Sequence, residues 1–497
     1  MNILLAGYNI DYDLIRELQE KSGLKQDITP ETISAAYARI SRSPKSVDEL
    51  RADARAEVDK ARKSNRNIVF EMGHNSVAEH AVFNIDVIGV SRLLVEEIEK
   101  FRLCSYTEKS QRYVLFDKDF VVPEEIVEAD LKNLFVSTIT MQNNFYHQLY
   151  EQLRPYVFEQ NRAQAVDPAN RSMLEGWAKE DARYAISLAT ETQLGMTINT
   201  RNLELMLRRL SALPLAEARL FSEKLYAATK DIAPSLIRYT EATDYDRLTR
   251  RNLRTVAKKF PQPKANKSPD VRLISATRDA DMQAAAVLLF ASSGLSFGLC
   301  LKQAGRMSAR NTKALFKTAF EHLQSYDAVL RELENIDLQF ELITSASCFA
   351  QLKRHRMATI IAQNYDPYLN VTTPSSVRAI GKQKEFKEIM RRTEDAYGQI
   401  RKKLPPASAY ASAYVLTNAH RKRVLMKLNA RELYHLSRMR MAAHAQWDIR
   451  ELSKNMLKQA RAVMPLTLMM ACGKDDFAAK RKKILAGRNS FSFDVTA

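Results

Sequence analysis

Three stretches of this chain concentrate side chains able to bind anions. In KFRLCSYTEKSQRYV, residues 100–114, Glu108, Ser110 and Arg112 recur at every second position. An extended segment would put a carboxylate, a hydroxyl and a guanidinium on one face, suited to a phosphate and the sugar or base beside it; a solvated strand edge is the plainer alternative. In KRHRMATIIAQN, residues 353–364, Arg354, His355 and Arg356 stand side by side and repel one another if all are charged. A solvated basic helix end is the plain reading of such a triplet. In LNARELYHLSRMRMAAHAQWDIREL, residues 428–452, Asn429 and Arg440 are eleven apart on a strongly helical run. That is about three turns, so both belong on one helix face.

These groups need elements to position them. In VSRLLVEEIEKFR, Val90, Leu94, Ile98 and Phe101 recur at helical steps, which predicts a short helix with one buried stripe. The first basic triplet then follows a helix C-terminus, where the macrodipole favours cations such as Lys100 and Arg102. The same order of features occurs twice, the mark of a duplication. MNILLAG and DYDLIRELQE answer to VRLISAT and DADMQAAAVLLF, the strand-like HAVFNIDVIGV to IDLQFELIT, and INTRNLELMLRRL (198–210) to residues 428–452. Between the copies, RLTRRNLRTVAKKFPQPKANKSPDV (247–271) is basic, holds two prolines and reads as a linker. The halves are therefore expected at 1–246 and 272–497. NRAQAVDPANRSMLEGW marks an insertion in the first half, with the polar and small residues of a surface loop.

With 497 residues, 45% hydrophobic and 27% charged, the chain has the composition of a globular protein with more than one core. Only 13 Gly and 15 Pro favour a helix-rich protein. Cys104, Cys300, Cys348 and Cys472 are isolated, which argues against a disulfide framework and for a reducing compartment. There is no signal-peptide pattern and no apolar run near ~18 residues, so the expected location is cytoplasmic, with no membrane partner. A formal charge of +18 calls for an anionic partner. Nucleic acid, nucleotides, flavins and folates all qualify, but no zinc-finger spacing, RNP-like motif or helix-turn-helix signature supports a polynucleotide. His74 and His80 lack the HExxH pattern or a carboxylate partner, so no metal is expected.

The motifs together resemble the flavin-dependent thymidylate synthase family (ThyX), whose signature is RHRxxSxNExSxRY. The first half reads KFRLCSYTEKSQRY, keeping Arg102, Ser105, Glu108, Ser110, Arg112 and Tyr113 but holding Lys100 and Phe101 in place of the first Arg and the His. The second reads RHRMATIIAQNYDPY, keeping Arg354, His355 and Arg356 but holding Ala362, Asn364 and Asp366 where Glu, Ser and Arg belong. GHNSVAEHAVF, with His74 and Ser76, matches an upstream family pattern, and NARELYHLSRMRMAAHAQWDIR matches NARxLxHxLxLRxxxxAQWEIR. Arg183, sixteen residues before Asn199, matches a nucleotide-contacting arginine, whereas Ala413 lies sixteen before Asn429. Gln351 stands where the family has Gln, and Glu97 replaces it in the first half. Each half retains what the other lost.

The resemblance implies an α+β fold of two tandem domains, helix-rich, each with a small, mostly antiparallel sheet. It implies reductive methylation of dUMP to dTMP with FAD, NADPH and methylenetetrahydrofolate, without a cysteine nucleophile. His74, Glu108, Arg112, His355 and Arg440 would form the catalytic set. His74, Ser76, Glu108, Arg354, His355, Arg356, Asn429 and His435 would hold the flavin. Glu108, Ser110, Gln111, Arg112, Arg183, Gln351 and Arg440 would hold the nucleotide. Two chains would form a homodimer equivalent to a tetramer of four halves, with composite sites. A diverged flavin- and folate-dependent enzyme acting on another pyrimidine, and a non-enzymatic nucleic-acid-binding protein, are the alternatives.

Overall fold

The structure, a computed structural model, describes residues 1–20, 29–39, 47–67, 69, 75–112, 114–115, 119–260 and 269–486. Among these residues the strands form two four-stranded antiparallel sheets. The first holds β1 (Asn2–Tyr8), β2 (Val82–Ser91), β3 (Cys104–Glu108) and β4 (Glu191–Asn199) in the order β1-β2-β4-β3. The second holds β5 (Val271–Ala276), β6 (Asp337–Ser345), β7 (Thr359–Ala362) and β8 (Arg421–Asn429) in the order β5-β6-β8-β7. Repeated order and antiparallel pairing agree with the duplication and with the α+β class. The helices that position the site are α1 (Arg92–Ile98), α2 (Lys132–Gln160), α3 (Arg171–Ala182), α4 (Thr200–Ser211), α5 (Ala216–Thr229), α6 (Asp244–Ala257), α7 (Ala346–Leu352), α8 (Gln383–Lys403), α9 (Ala430–Arg440) and α10 (Trp447–Val463). None of the described helices is long and apolar enough to cross a membrane.

Period-two alternation builds the central strands. Phe83, Ile85 and Val87 of β2 are buried while Asn84, Asp86 and Ile88 are exposed, and in β6 Leu338, Phe340 and Leu342 face the core. Phe340 packs in a cluster with Val424, Met426, Leu433 and Met456; its truncation to Ala would cost about 3–5 kcal/mol. β2 carries a bulge between Ile88 and Val90 that β6 lacks. Gly89 turns it at φ +73°, and a Cβ there would meet the Met1 backbone at 3.2 Å, so a side chain would be both strained and crowded.

Central strands run directly into helices through side-chain caps. Ser91 accepts from the Leu94 N–H at 3.0 Å and Ser345 from the Cys348 N–H at 2.9 Å. Each cap is itself held by a carboxylate: Ser91 Oγ donates to Glu217 of α5 at 2.6 Å, and Ser345 Oγ to Asp448 of α10 at 2.6 Å. The Tyr414 hydroxyl also donates to Glu217, at 2.7 Å. Burial pushes the Glu217 carboxyl above its usual range, opposed by the hydrogen bonds from Ser91 and Tyr414. The expected single stripe on α1 is too narrow: Arg92, Leu93, Leu94, Val95, Glu96 and Ile98 are all buried, because this short helix lies inside the unit.

Packing divides the chain into two compact units, Met1–Lys264 with Thr373–Thr417, and Ala265–Thr372 with Asn418–Ala497. Residues 373–417 lie between the second copy's two motifs in sequence yet complete the first unit. There Gln142 of α2 donates to Thr393 of α8 and to the Val415 carbonyl, both at 2.8 Å. The Leu188 N–H donates to Leu416 O at 2.7 Å and the Ala189 N–H to Tyr414 O at 3.0 Å. Ser187 bridges Thr417 in antiparallel fashion, and each stands twelve residues before its cap, Asn199 or Asn429.

Two segments are more helical than their composition suggests. The segment 247–271 contains most of α6, which a capping box between Thr243 and Asp246 starts although no residue of α6 is buried. The insertion expected as a loop is largely helical: α3 buries Leu174, Ala178 and Ala182 at four-residue steps, a stripe hidden by its polar composition.

Candidate active site

In the first unit, three arginines and two glutamates converge. Arg92 opens α1, and its Nη1 donates to both Glu108 carboxylate oxygens, at 3.0 and 3.2 Å. Glu108 ends β3, so the expected extended face from Glu108 to Arg112 is not continuous. Residues 111 and 112 lie in a turn, where Ser110 Oγ accepts from the Arg112 N–H at 3.2 Å. Turning brings Arg112 Nε to Glu180 Oε2 at 2.6 Å. Glu180 lies on the last turn of α3, three residues before Arg183, so one face of that chain segment carries both. Arg183 is buried; desolvation lowers its pKa, Glu180 opposes this, and Arg112 and Arg92 add to it. The five groups sum to one excess positive charge, an arrangement that attracts a phosphate. Gln111 is buried beside them and Ser110 half-buried. A groove of about 440 Å³ runs over the exposed side of the sheet, with Glu108, Ser110, Asp86, Thr107 and Gln193 in its lining.

Ser76 is exposed on a short 3-10 helix, Asn75–His80. His74 lies outside the described residues.

In the second unit the basic triplet resolves its own repulsion. α7 ends at Leu352, and the following turn leaves Arg354 and Arg356 exposed while His355 is only 3% exposed. The His355 Nδ1–H donates to Glu432 at 2.9 Å, and Nε2 accepts from Arg440 Nε at 3.0 Å. Both ring nitrogens are committed, so the imidazole is neutral in one tautomer. Burial lowers its pKa, against the raising effect of Glu432, and Arg440 and His435 lower it further. Arg440 also donates through Nη2 to the Gln351 carbonyl at 3.1 Å. Gln351 Nε2 in turn reaches Gln446 at 3.4 Å. Asn429 does not share the Arg440 face as expected: it is the N-cap of α9, its Oδ1 accepting from the Glu432 N–H at 2.8 Å. The His435 ring meets His355 edge-on at 5.6 Å and is exposed on its other side. Arg354, Arg356 and His435 are exposed, and their side chains are of the kind that can donate to a pyrophosphate or an anionic ring edge.

Glu180, Glu432 and Arg92 were not singled out by the motifs. The available signal was spacing: Glu180 stands three before Arg183 and Glu432 three after Asn429.

Counted from the caps, the two units lose connected groups. Where Glu432, His355 and Arg440 form a chain, the first half has Asn202, Phe101 and Leu210. Where Arg112 and Arg183 flank Glu180, the second half has Asp366 and Ala413. Glu108 pairs with Leu194, five residues before Asn199, and Ala362 pairs with Val424, five before Asn429.

The family model described as "Thymidylate synthase complementing protein" matches residues 24–235 and 272–466. A flavin-dependent thymidylate synthase from Clostridium tetani is 30% identical over 42% of this chain and 82% of its own. A UPF0159 protein from Thermoplasma acidophilum is 24% identical over 80% of this chain and 86% of its own, so the double-length arrangement is shared. A crystal structure of the flavin-dependent thymidylate synthase ThyX from Helicobacter pylori, complexed with FAD and dUMP, is similar at 19% identity and a TM-score of 0.29, covering 48% of this chain and all of that one.

Proposed function

Because the chain belongs to the thymidylate synthase complementing protein family, matched in both of its halves, we propose that it reductively methylates dUMP to dTMP in composite sites. FAD, NADPH and methylenetetrahydrofolate are the proposed cofactors and co-substrates. The observation that carries the composite reading is the complementary loss: each half keeps one connected set and lacks the other.

In this reading Arg112 and Arg183 bind the nucleotide phosphate, with Glu180 holding Arg112 in place at 2.6 Å. Glu108, Ser110 and Gln111 contact the sugar and base. Arg440 and Gln351 contribute the second nucleotide-binding group. Arg440 is held from behind by neutral His355, whose tautomer Glu432 selects. Arg354, Arg356, His435 and Asn429, with His74 and Ser76, hold the flavin. Bound there, the flavin supplies the redox chemistry, and cations at its rim favour the reduced, anionic form. A homodimer would supply the sites that unite an Arg112 set with a His355 set.

The test is turnover. Full-length protein loaded with FAD should convert dUMP to dTMP only when methylenetetrahydrofolate and NADPH are both supplied, followed by mass spectrometry of the nucleotide. Flavin binding with turnover of another pyrimidine nucleotide, and none of dUMP, would replace dUMP as the substrate.

A further inference from the structure

The motifs account for Glu108 but not for what holds it. Arg92 is 2% exposed and the Glu108 side chain 5%. One guanidinium nitrogen sits between both carboxylate oxygens, 3.0 and 3.2 Å away, so rotation of the carboxylate breaks one bond or both. Arg92 is in turn placed by the chain entering α1, where Ser91 caps the helix and is bonded to buried Glu217. The carboxylate that borders the groove is thus tied to the rigid junction of β2 and α1. The second unit supplies an internal comparison. Ala346 follows the cap Ser345 as Arg92 follows Ser91, and Ala362 occupies the rung of Glu108. Arginine and glutamate are present together in one copy, and both are alanine in the other.

A buried ion pair contributes little to stability compared with well-packed apolar side chains, and breaking it by removing one partner is costly. The alanine pair shows that this fold has an apolar solution at the same two positions. We propose that Arg92 is a positioning residue, which orients Glu108 toward the bound pyrimidine nucleotide. The proposal rests on the nucleotide-binding reading of the first unit.

The test is a cycle in the full-length, FAD-loaded protein, with dUMP affinity read by titration and folding by thermal melting. Arg92→Ala and Glu108→Ala should each weaken dUMP binding by roughly tenfold or more. Arg92→Lys, which keeps a cation within reach, should recover part of that loss. The double variant Arg92→Ala, Glu108→Ala copies the second unit's pair. It should melt closer to the wild type than Arg92→Ala does, yet bind dUMP no more weakly than Glu108→Ala alone, because Arg92 acts only through Glu108. Folded Arg92→Ala protein with wild-type dUMP affinity would overturn the proposal while leaving the nucleotide reading intact, as would independent, additive losses in the double variant. Wild-type protein that binds no dUMP would overturn both.

Discussion

Replacing Glu432 with alanine isolates the chain that ends at Arg440. His355 is 3% exposed, so its Nδ1–H, 2.9 Å from Glu432, has no access to bulk water when the carboxylate goes. A buried hydrogen bond to a charged group contributes about 1.5–3 kcal/mol. The tautomer preference disappears with it, and a ring protonated on Nε2 would set one N–H against the Arg440 Nε–H, 3.0 Å away. Arg440 would keep its bond to the Gln351 carbonyl, insufficient to orient a planar group alone. If the full loss reaches the nucleotide, Glu432→Ala should weaken dUMP binding about ten- to a hundredfold. Glu432→Gln retains an acceptor for Nδ1–H and should lose less than a factor of about ten. Titration calorimetry with dUMP, alongside melting curves, measures both. The pH dependence follows from the same ring. Its folded pKa is lowered, chiefly by burial, so the unfolded chain binds the extra proton first. The neutral ring's contribution is complete above about pH 6.5, the unfolded value, and is lost as pH falls from there toward the folded pKa. Wild-type stability should drop in that window, whereas dUMP affinity, which depends on the ring in the folded protein, should drop only as pH falls through the lower folded pKa, and His355→Gln should flatten both. Wild-type affinity in Glu432→Ala, or equal losses in the alanine and glutamine variants, would refute the positioning argument.

Two further outcomes follow. Arg112→Ala and His355→Ala should each abolish turnover alone; co-expressed, they should recover about a quarter of wild-type activity if sites form across chains, since half of randomly assembled dimers hold one intact site of two. Absence of recovery in verified mixed dimers would place each site within one chain. Tyr414→Phe removes one donor from buried Glu217 and should lower stability by about 1.5–3 kcal/mol, read by denaturant unfolding; an unchanged midpoint would show that Ser91 alone satisfies the carboxylate.

The central strands were readable in the sequence because alternation is a local signal, and Phe83, Ile85 and Val87 declare β2. The caps were not: Asn429 was expected on the Arg440 face and instead starts the helix. The motif resemblance brought forward Arg112, Arg183, His355 and Arg440, but not the glutamates that hold Arg112 and His355. Glu180 reaches Arg112 across 68 residues, and Glu432 reaches His355 across 77; no periodicity connects such pairs. Helix α3 was missed because its buried Leu174, Ala178 and Ala182 are interleaved with Glu, Lys and Asp. The exposure of Arg354 and Arg356 against the burial of His355 depends on a turn after α7 that adjacent residue types alone do not reveal.

The crossing of residues 373–417 into the first unit sets a timetable for synthesis. Its earlier part is complete at residue 264, and its last strip only at 417. At about 5–20 residues per second, a ribosome needs roughly 8–30 seconds to make the chain between them. During that interval Gln142 lacks Thr393 and Val415, Phe145 lacks Phe386, and the Leu188 and Ala189 amides lack their acceptors. The nascent chain therefore waits with an adhesive face already formed. On a crowded polysome, the strip that arrives first can belong to a neighbouring chain, and the resulting exchange would join two polypeptides before either is finished.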